Sequence, residues 1–354
     1  MRAGTVLALA LGWVLALWGV QFAAGGRLVV VPWLALGPLA ASLVLGWRPT
    51  AAVALTSVLA VAHLSHETGD LLDGVGEVRV AGSAALAGFA VFGARVRVRR
   101  EERIRAVTEV ATVAQTAILH PVPAQVGGLV LASRYVSADA AALVGGDLFD
   151  VVARDGSVRV VVGDARGKGL PAVHTAAAVL SAFRHSAPLE GPDLDDVARA
   201  VDAAVSPSLG PEDFVTAVLC EVHPDGRLDV VRCGHPAPLL LAPGRAPREV
   251  GATSCPPLGM GVEPVVEADR LEPGERLLLH TDGLLEARDA EGRFFDLTAA
   301  VQDLAGPGAS PGVPAADDLD AALERLLARV RAHVGGTLTD DVAVLLLERA
   351  RIPA

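Results

Sequence analysis

Two stretches decide the fold: Val144-Gly-Gly-Asp-Leu-Phe-Asp-Val151, and shortly after it Val161-Val-Gly-Asp-Ala-Arg-Gly-Lys-Gly169. In each, an aspartate (Asp147, Asp164) stands beside glycine at the edge of an apolar, strand-like run. The pattern recurs in His280-Thr-Asp-Gly283 with Asp282, and ahead of Val342-Ala-Val-Leu-Leu-Leu347 with Asp340 and Asp341. A carboxylate at the end of a buried strand is costly unless it is paired or coordinates a metal. One such residue reads as a turn or a helix cap. Several that converge imply a cation, and hard oxygen donors without clustered His or Cys suit Mg²⁺ or Mn²⁺ rather than zinc. Two such ions activate water and clamp a phosphoryl group. The glycines at 145, 146 and 163 fit a crowded site where backbones approach closely or take positive φ.

Around these stretches, short apolar runs predict strands at Val158–Val162, Val215–Val222, Leu228–Arg232, Leu277–His280 and Val342–Leu347. Helical periodicity predicts Pro171–Ser186, Asp193–Val205 and Leu319–His333. Strands in runs with helices grouped beside them indicate an α+β layered domain. Gly167-Lys168-Gly169 fails as a phosphate-binding P-loop: Gly163 lies one residue too close, and Gly169 stands where Ser or Thr must hold magnesium.

Taken in order, further motifs join these: Gln115-Thr-Ala-Ile-Leu119, Arg134-Tyr135, Phe214-Val-Thr-Ala217, Cys233-Gly-His-Pro236, Pro257-Leu-Gly-Met-Gly261 and Thr339-Asp-Asp-Val342. The set resembles the PPM-type (type 2C) protein phosphatases, in particular their bacterial SpoIIE-like branch, which includes phosphatases that activate stress sigma factors. The resemblance implies a central β-sandwich flanked by helices, in α-β-β-α layers. It further implies metal ligation by Asp147, Asp164, the Ala165 carbonyl, Asp282 and Asp340, with Asp340 preferred to Asp341 and Asp150 set behind the ligands. Its expected activity is hydrolysis of phosphoserine or phosphothreonine on a regulatory protein, an anti-anti-sigma factor of the STAS type. Arg166 replaces the histidine that eukaryotic members carry two residues after the second metal aspartate; Arg166 and Lys168 are candidates to contact phosphate. His235 reads as shaping a loop rather than doing chemistry. The alternative function is a catalytically silent signalling scaffold with the same fold.

Composition bounds the rest. The chain has 354 residues, 52% of them hydrophobic, and a net charge of -11. That charge argues against a nucleic-acid partner, which would need a Lys/Arg field. Three cysteines at irregular spacing form neither a disulfide framework nor a zinc site and suit a reducing cytoplasm. Residues 1–94 are rich in Leu, Val and Ala, and four apolar stretches read as an uncleaved membrane anchor or sensor: Thr5–Ala23, Leu28–Gly46, Ala51–Leu64 and Val78–Ala94. The cluster Arg95, Arg97, Arg99 and Arg100 assigns the cytoplasmic side of the inner membrane, with the catalytic domain in the cytoplasm and the acidic stretch His63–Glu77 outside. His63, His66, Glu67, Asp70 and Asp73 in that stretch read as a solvated loop. Those spans carry almost no mid-membrane charge, which disfavours a transporter.

Residues 95–124 read as a helical connector, and 125–350 as the phosphatase domain. Within the connector, Ile104, Val107, Ala111, Ala114 and Ile118 form a two-heptad seam that predicts a homodimer, against the alternative of a helix packed on its own domain. Gly306–Pro314 reads as a surface loop.

Overall fold

The computed structural model describes residues 3–24, 31–72, 74–137, 145–305, 315–336, 338 and 340–350. The loop assigned to Gly306–Pro314, Asp73, Val144, Thr339 and the start of the second apolar stretch lie outside the described residues. The chain divides into two compact units, Met1–Ala106 and Val107–Ala354.

In the first unit, helices α1 (Ala3–Ala23), α2 (Leu36–Val44), α3 (Trp47–Glu67) and the first part of α4 (Gly74–Ile118) follow one another. Among the described residues, three helices are long and apolar enough to cross a membrane: Gly4–Ala23, Trp47–Glu67 and Gly74–Ile118. Within the second apolar stretch the described residues include a shorter apolar helix, Pro32–Val44, which at about 1.5 Å per residue covers roughly 20 Å of a bilayer core of ~30 Å. The third is longer than its apolar run, because Trp47, Arg48 and Pro49 form its first turn; proline is at home there, where no N–H is needed. Trp18 and Phe22 of α1 pack against His63 of α3. Arg97 of α4 donates to the Ser42 and Leu45 carbonyls at the end of α2 (3.2 and 2.7 Å) and pairs with Glu101. Arg95 stacks on Trp47.

The second unit is built on strands buried on both faces, which explains their near-continuous apolar runs. One sheet of six strands has the order β1-β2-β11-β10-β7-β8 and the other, of five, β3-β4-β5-β6-β9. The first comprises β1 (Gln125–Val126), β2 (Leu129–Val136), β7 (Leu239–Leu241), β8 (Arg248–Glu249), β10 (Arg276–His280) and β11 (Val342–Arg349). The second comprises β3 (Asp147–Arg154), β4 (Ser157–Ala165), β5 (Val215–Val222), β6 (Arg227–Cys233) and β9 (Glu267–Arg270). Every pairing between these strands is antiparallel.

Side chains alternate across each strand. Ala343, Leu345 and Leu347 of β11 join Leu277 and Leu279 of β10, and Val160 and Val162 of β4, in the core between the sheets. Val342, Val344 and Leu346 face the opposite way, onto Leu319, Leu323, Leu326 and Val330 of α8 (Ala315–His333). On the other outer face, Val161, Ala217 and Leu219 pack against α5 (Leu170–Ser186) and α6 (Leu194–Val205) through Leu180, Phe183, Val197 and Val201. A short helix α7 (Leu297–Ala300) completes the first outer layer. The result is the expected α-β-β-α sandwich. Sequence reading located five of its strands and three of its helices; β2 and β3 escaped it because β2 carries Ser133, Arg134 and Tyr135, and β3 carries Asp147 and Asp150.

Candidate metal centre at the end of the sandwich

Pairing of β3 with β4 sets Asp147 directly opposite Asp164. The other sheet delivers Asp282 on a 3-10 turn following β10, and Asp340 and Asp341 immediately before β11. These five carboxylates line one cavity of about 260 Å³, with Gly145, Gly146, Arg166, Gly167, Lys168, Phe214 and Thr216. The four aspartates expected from sequence are therefore brought together from both sheets. Two glycines make this convergence possible. A Cβ on Gly146 would stand 2.1 Å from the Ala165 carbonyl oxygen, and one on Gly283 would stand 1.9 Å from that of Asp341. Close backbone approach, rather than positive φ, is the requirement there.

Asp147 is 3% exposed. Its Oδ2 accepts from the Thr281 hydroxyl at 2.8 Å, and Thr281 Oγ1 in turn accepts from the Ala343 amide at 3.0 Å, so one hydroxyl ties β3 to β10 and β11. The Asp147 carbonyl accepts from Gln115 Nε2 at 3.3 Å. Burial, then the Asp164 carboxylate, push the Asp147 carboxyl well above the usual range. Asp164 is pushed up to about 7 by burial, then by Asp282, Asp340 and Asp341. Asp282 is raised by burial, then by Glu286 and Asp340. Mutual repulsion among buried carboxylates is relieved by either protons or cations. An all-oxygen donor set is the one Mg²⁺ and Mn²⁺ take, and the residues present fit such ions.

Asp340 and Asp341 differ sharply in surroundings. Asp341 is buried, accepting from the Tyr135 hydroxyl at 2.5 Å, the Gly145 amide at 2.6 Å and the Ser137 hydroxyl at 3.3 Å. The Tyr135 hydroxyl also lies 2.9 Å from Gln115 Oε1. Burial, and then Asp341, hold the Tyr135 phenol above its usual range. Asp340 is half-exposed and pairs with Lys168 Nζ at 2.9 Å. The hydrogen bond to Asp340 raises the Lys168 ammonium pKa against the opposing effect of burial. Among the described residues no three acidic, His or Cys side chains are gathered to wrap one ion as they stand; Asp340 is turned to Lys168, and Asp341 to Tyr135 and Gly145.

Arg166 lines the cavity while donating to the Glu212 carbonyl and stacking on Phe214. Asp150 faces away from the cavity, pairing with Arg184, whose guanidinium also donates to the Ile118 carbonyl at 2.8 Å. His235 is buried with both nitrogens engaged. Its Nε2 donates to the His280 carbonyl at 3.0 Å, leaving Nδ1 to accept from Thr216 Oγ1 at 3.0 Å. Burial, then His280, lower its pKa to about 3, so it stays neutral and braces the strands rather than moving protons. Gln115, Tyr135 and Thr281 were visible as motif members, but their hydrogen-bonding roles had no sequence signal, since their partners are remote in the chain.

The layered sandwich with acidic residues at one end defines a phosphatase domain of PP2C type. Residues 154–350 match the family model for stage II sporulation protein E, SpoIIE. The chain therefore belongs to the SpoIIE family and is homologous to serine/threonine phosphatases of the PP2C type. The SiaA-PP2C domain of Pseudomonas aeruginosa superposes with a TM-score of 0.55 at 18% identity, covering 72% of this chain and 97% of that one. The RsbU and RsbW domains of Rv1364c from Mycobacterium tuberculosis give 0.51 at 27% identity, covering 64% and 61%. The PP2C phosphatase domain of SpoIIE from Bacillus subtilis, with a fragment of its regulatory domain, gives 0.51 at 18%, covering 62% and 63%. This chain thus spans about three fifths of the length of the latter two.

Proposed function

We propose that this chain is a membrane-tethered, metal-dependent hydrolase of phosphoserine or phosphothreonine on a regulatory protein. The observation that carries the reading is the convergence of Asp147, Asp164, Asp282 and Asp340 on one cavity. These side chains and the Ala165 carbonyl would hold two divalent cations, Mn²⁺ or Mg²⁺. When bound, the cations supply an activated water and neutralise charge on the phosphoryl oxygens. The protein's part is to orient. Thr281 fixes the Asp147 carboxylate and Gln115 its backbone, while Arg166 and Lys168, which line the same cavity, would attract the phosphate. A covalent cysteine route lacks a nucleophile: Cys220, Cys233 and Cys255 are all buried, and burial raises the thiol pKa of the first two.

The regulatory substrate is proposed to be a STAS-type anti-anti-sigma factor. The RsbU and RsbW domains named together in the Mycobacterium tuberculosis neighbour are in keeping with a regulatory-protein partner. Residues 1–94 would anchor the chain in the cytoplasmic membrane, residues 95–124 would form the connector, and residues 125–350 the catalytic domain on the cytoplasmic side. Arg95 and Arg97 lie level with the end of α2 and the start of α3, and His63 lies with the end of α1; this ladder suits helices that alternate in direction. In the connector, Ala111 packs on Val173 with Ala114 and Ile118 beside them, so the C-terminal half of the seam serves its own domain. Val107, Val110 and Val113 are exposed and would form the homodimer contact.

The reading is tested with the full chain in detergent micelles. Manganese-dependent phosphate release from a phosphoserine peptide and from p-nitrophenyl phosphate should be abolished by chelation and by Asp164→Ala or Asp282→Ala. Full turnover in both variants would refute the site; a folded wild-type chain that binds Mn²⁺ without turnover would favour the scaffold.

A further inference from the structure

The cavity holds five carboxylates and two basic side chains, and the two are used differently. Arg166 is committed to the Glu212 carbonyl and the Phe214 ring. Lys168 is committed to a carboxylate that the proposed function needs for a cation: its Nζ lies 2.9 Å from Asp340 Oδ1, with both side chains nearly half exposed. The backbone presenting Lys168 is flanked by Gly167 at φ 110° and Gly169 at φ 79°. Neither glycine has a side chain to pack, so the loop can carry the ammonium to a second position at small cost. Among the described residues no three acidic side chains are gathered around one point as they stand, and Asp340 is turned to Lys168.

We propose that Lys168 is an internal counter-ion which competes with a divalent cation for Asp340. In the metal-free chain its ammonium offsets part of the repulsion among Asp164, Asp282 and Asp340. A cation arriving at Asp340 displaces it, and the released ammonium becomes available at the rim, where the phosphate would bind. This inference rests on the metal reading given above. It adds that metal loading and phosphate capture draw on the same lysine in turn. An exposed ion pair of this kind holds back a competitor by roughly 2- to 5-fold in affinity.

The test is calorimetric titration of Mn²⁺ into the chelator-treated full chain in detergent micelles, for wild type, Lys168→Met and Arg166→Met, with thermal melting of each metal-free form. Lys168→Met should bind Mn²⁺ roughly 2- to 5-fold more tightly and melt at a lower temperature without metal. Arg166→Met should keep the wild-type affinity, because Arg166 touches no carboxylate in the cavity. Equal or weaker binding by Lys168→Met would overturn the proposal. So would equal tightening by both variants, which would reveal only the general loss of positive charge. A wild-type chain that melts cooperatively yet takes up no Mn²⁺ would remove the metal reading, and this inference with it.

Discussion

Thr281 shows how much of the site depends on a residue that bears no charge. Its hydroxyl donates to Asp147 Oδ2 and accepts from the Ala343 amide, and an unpaired buried polar group costs about 1–3 kcal/mol. Thr281→Val should therefore destabilise the chain by that amount and weaken Mn²⁺ binding, whereas Thr281→Ser should retain both; melting and calorimetric titration read the two effects. Asp164 yields a pH prediction. Its folded pKa, about 7, lies above the ordinary aspartate value of 3.8, so ionising it penalises the folded state increasingly as pH rises between those values. Below the lower value no penalty exists, and above the upper one it is complete. Asp164→Asn should accordingly stabilise the metal-free chain, with a gain that grows from about pH 4 to 7 and then levels. Melting both proteins in chelator across that range checks it; a pH-independent gap would contradict the burial-driven shift.

At the scale of elements, the pairing of β4 with β5 buries a charge pair beside the core. Arg159 is fully buried, opposite Glu221 in register, and donates to it at 2.7 Å. Burial raises the Glu221 carboxyl, but hydrogen bonds from Ser157 and Arg159 outweigh it and hold the pKa below the usual value. Removing one partner of a buried pair typically costs about 3–5 kcal/mol, while an apolar replacement of both is often tolerated. Arg159→Met should fall in that range by urea denaturation, and Arg159→Met with Glu221→Leu should recover much of the loss. These strands were legible in the sequence because Val158 and Val160–Val162 are apolar, as are Val218 and Leu219. Strand β3 was not, because its aspartates obey the needs of the site instead of the pattern of the sheet. The 3-10 turn bearing Asp282 and the short strands β7, β8 and β9 likewise carry no periodicity to read.

For the whole molecule, the proposed homodimer contact on the connector is open to cross-linking. The three cysteines are buried, so a cysteine introduced on the connector can be cross-linked with little background. If Val107 lies at a homodimer contact, Val107→Cys in native membranes should yield a disulfide-linked dimer on mild oxidation, seen as a doubled mass on a non-reducing gel. Its absence, with efficient labelling of the same thiol by a maleimide, would leave the connector as a monomeric helix.

The sequence alone determined the apolar character of the first hundred or so residues, the layered α+β class and the aspartates that line one cavity. Each of these is set by residue type and local spacing: hydropathy for the spans, alternation for the strands, and the cost of a buried carboxylate for the site. Tertiary structure decided what no local pattern encodes. It carried the third helix back to Trp47, where the apolar run begins only at Ala51. It turned Asp341 to Tyr135 and Gly145, and Asp340 to Lys168. Neighbouring aspartates of identical chemistry were separated by partners lying far away in the chain, because the sandwich brings both sheets to a common end.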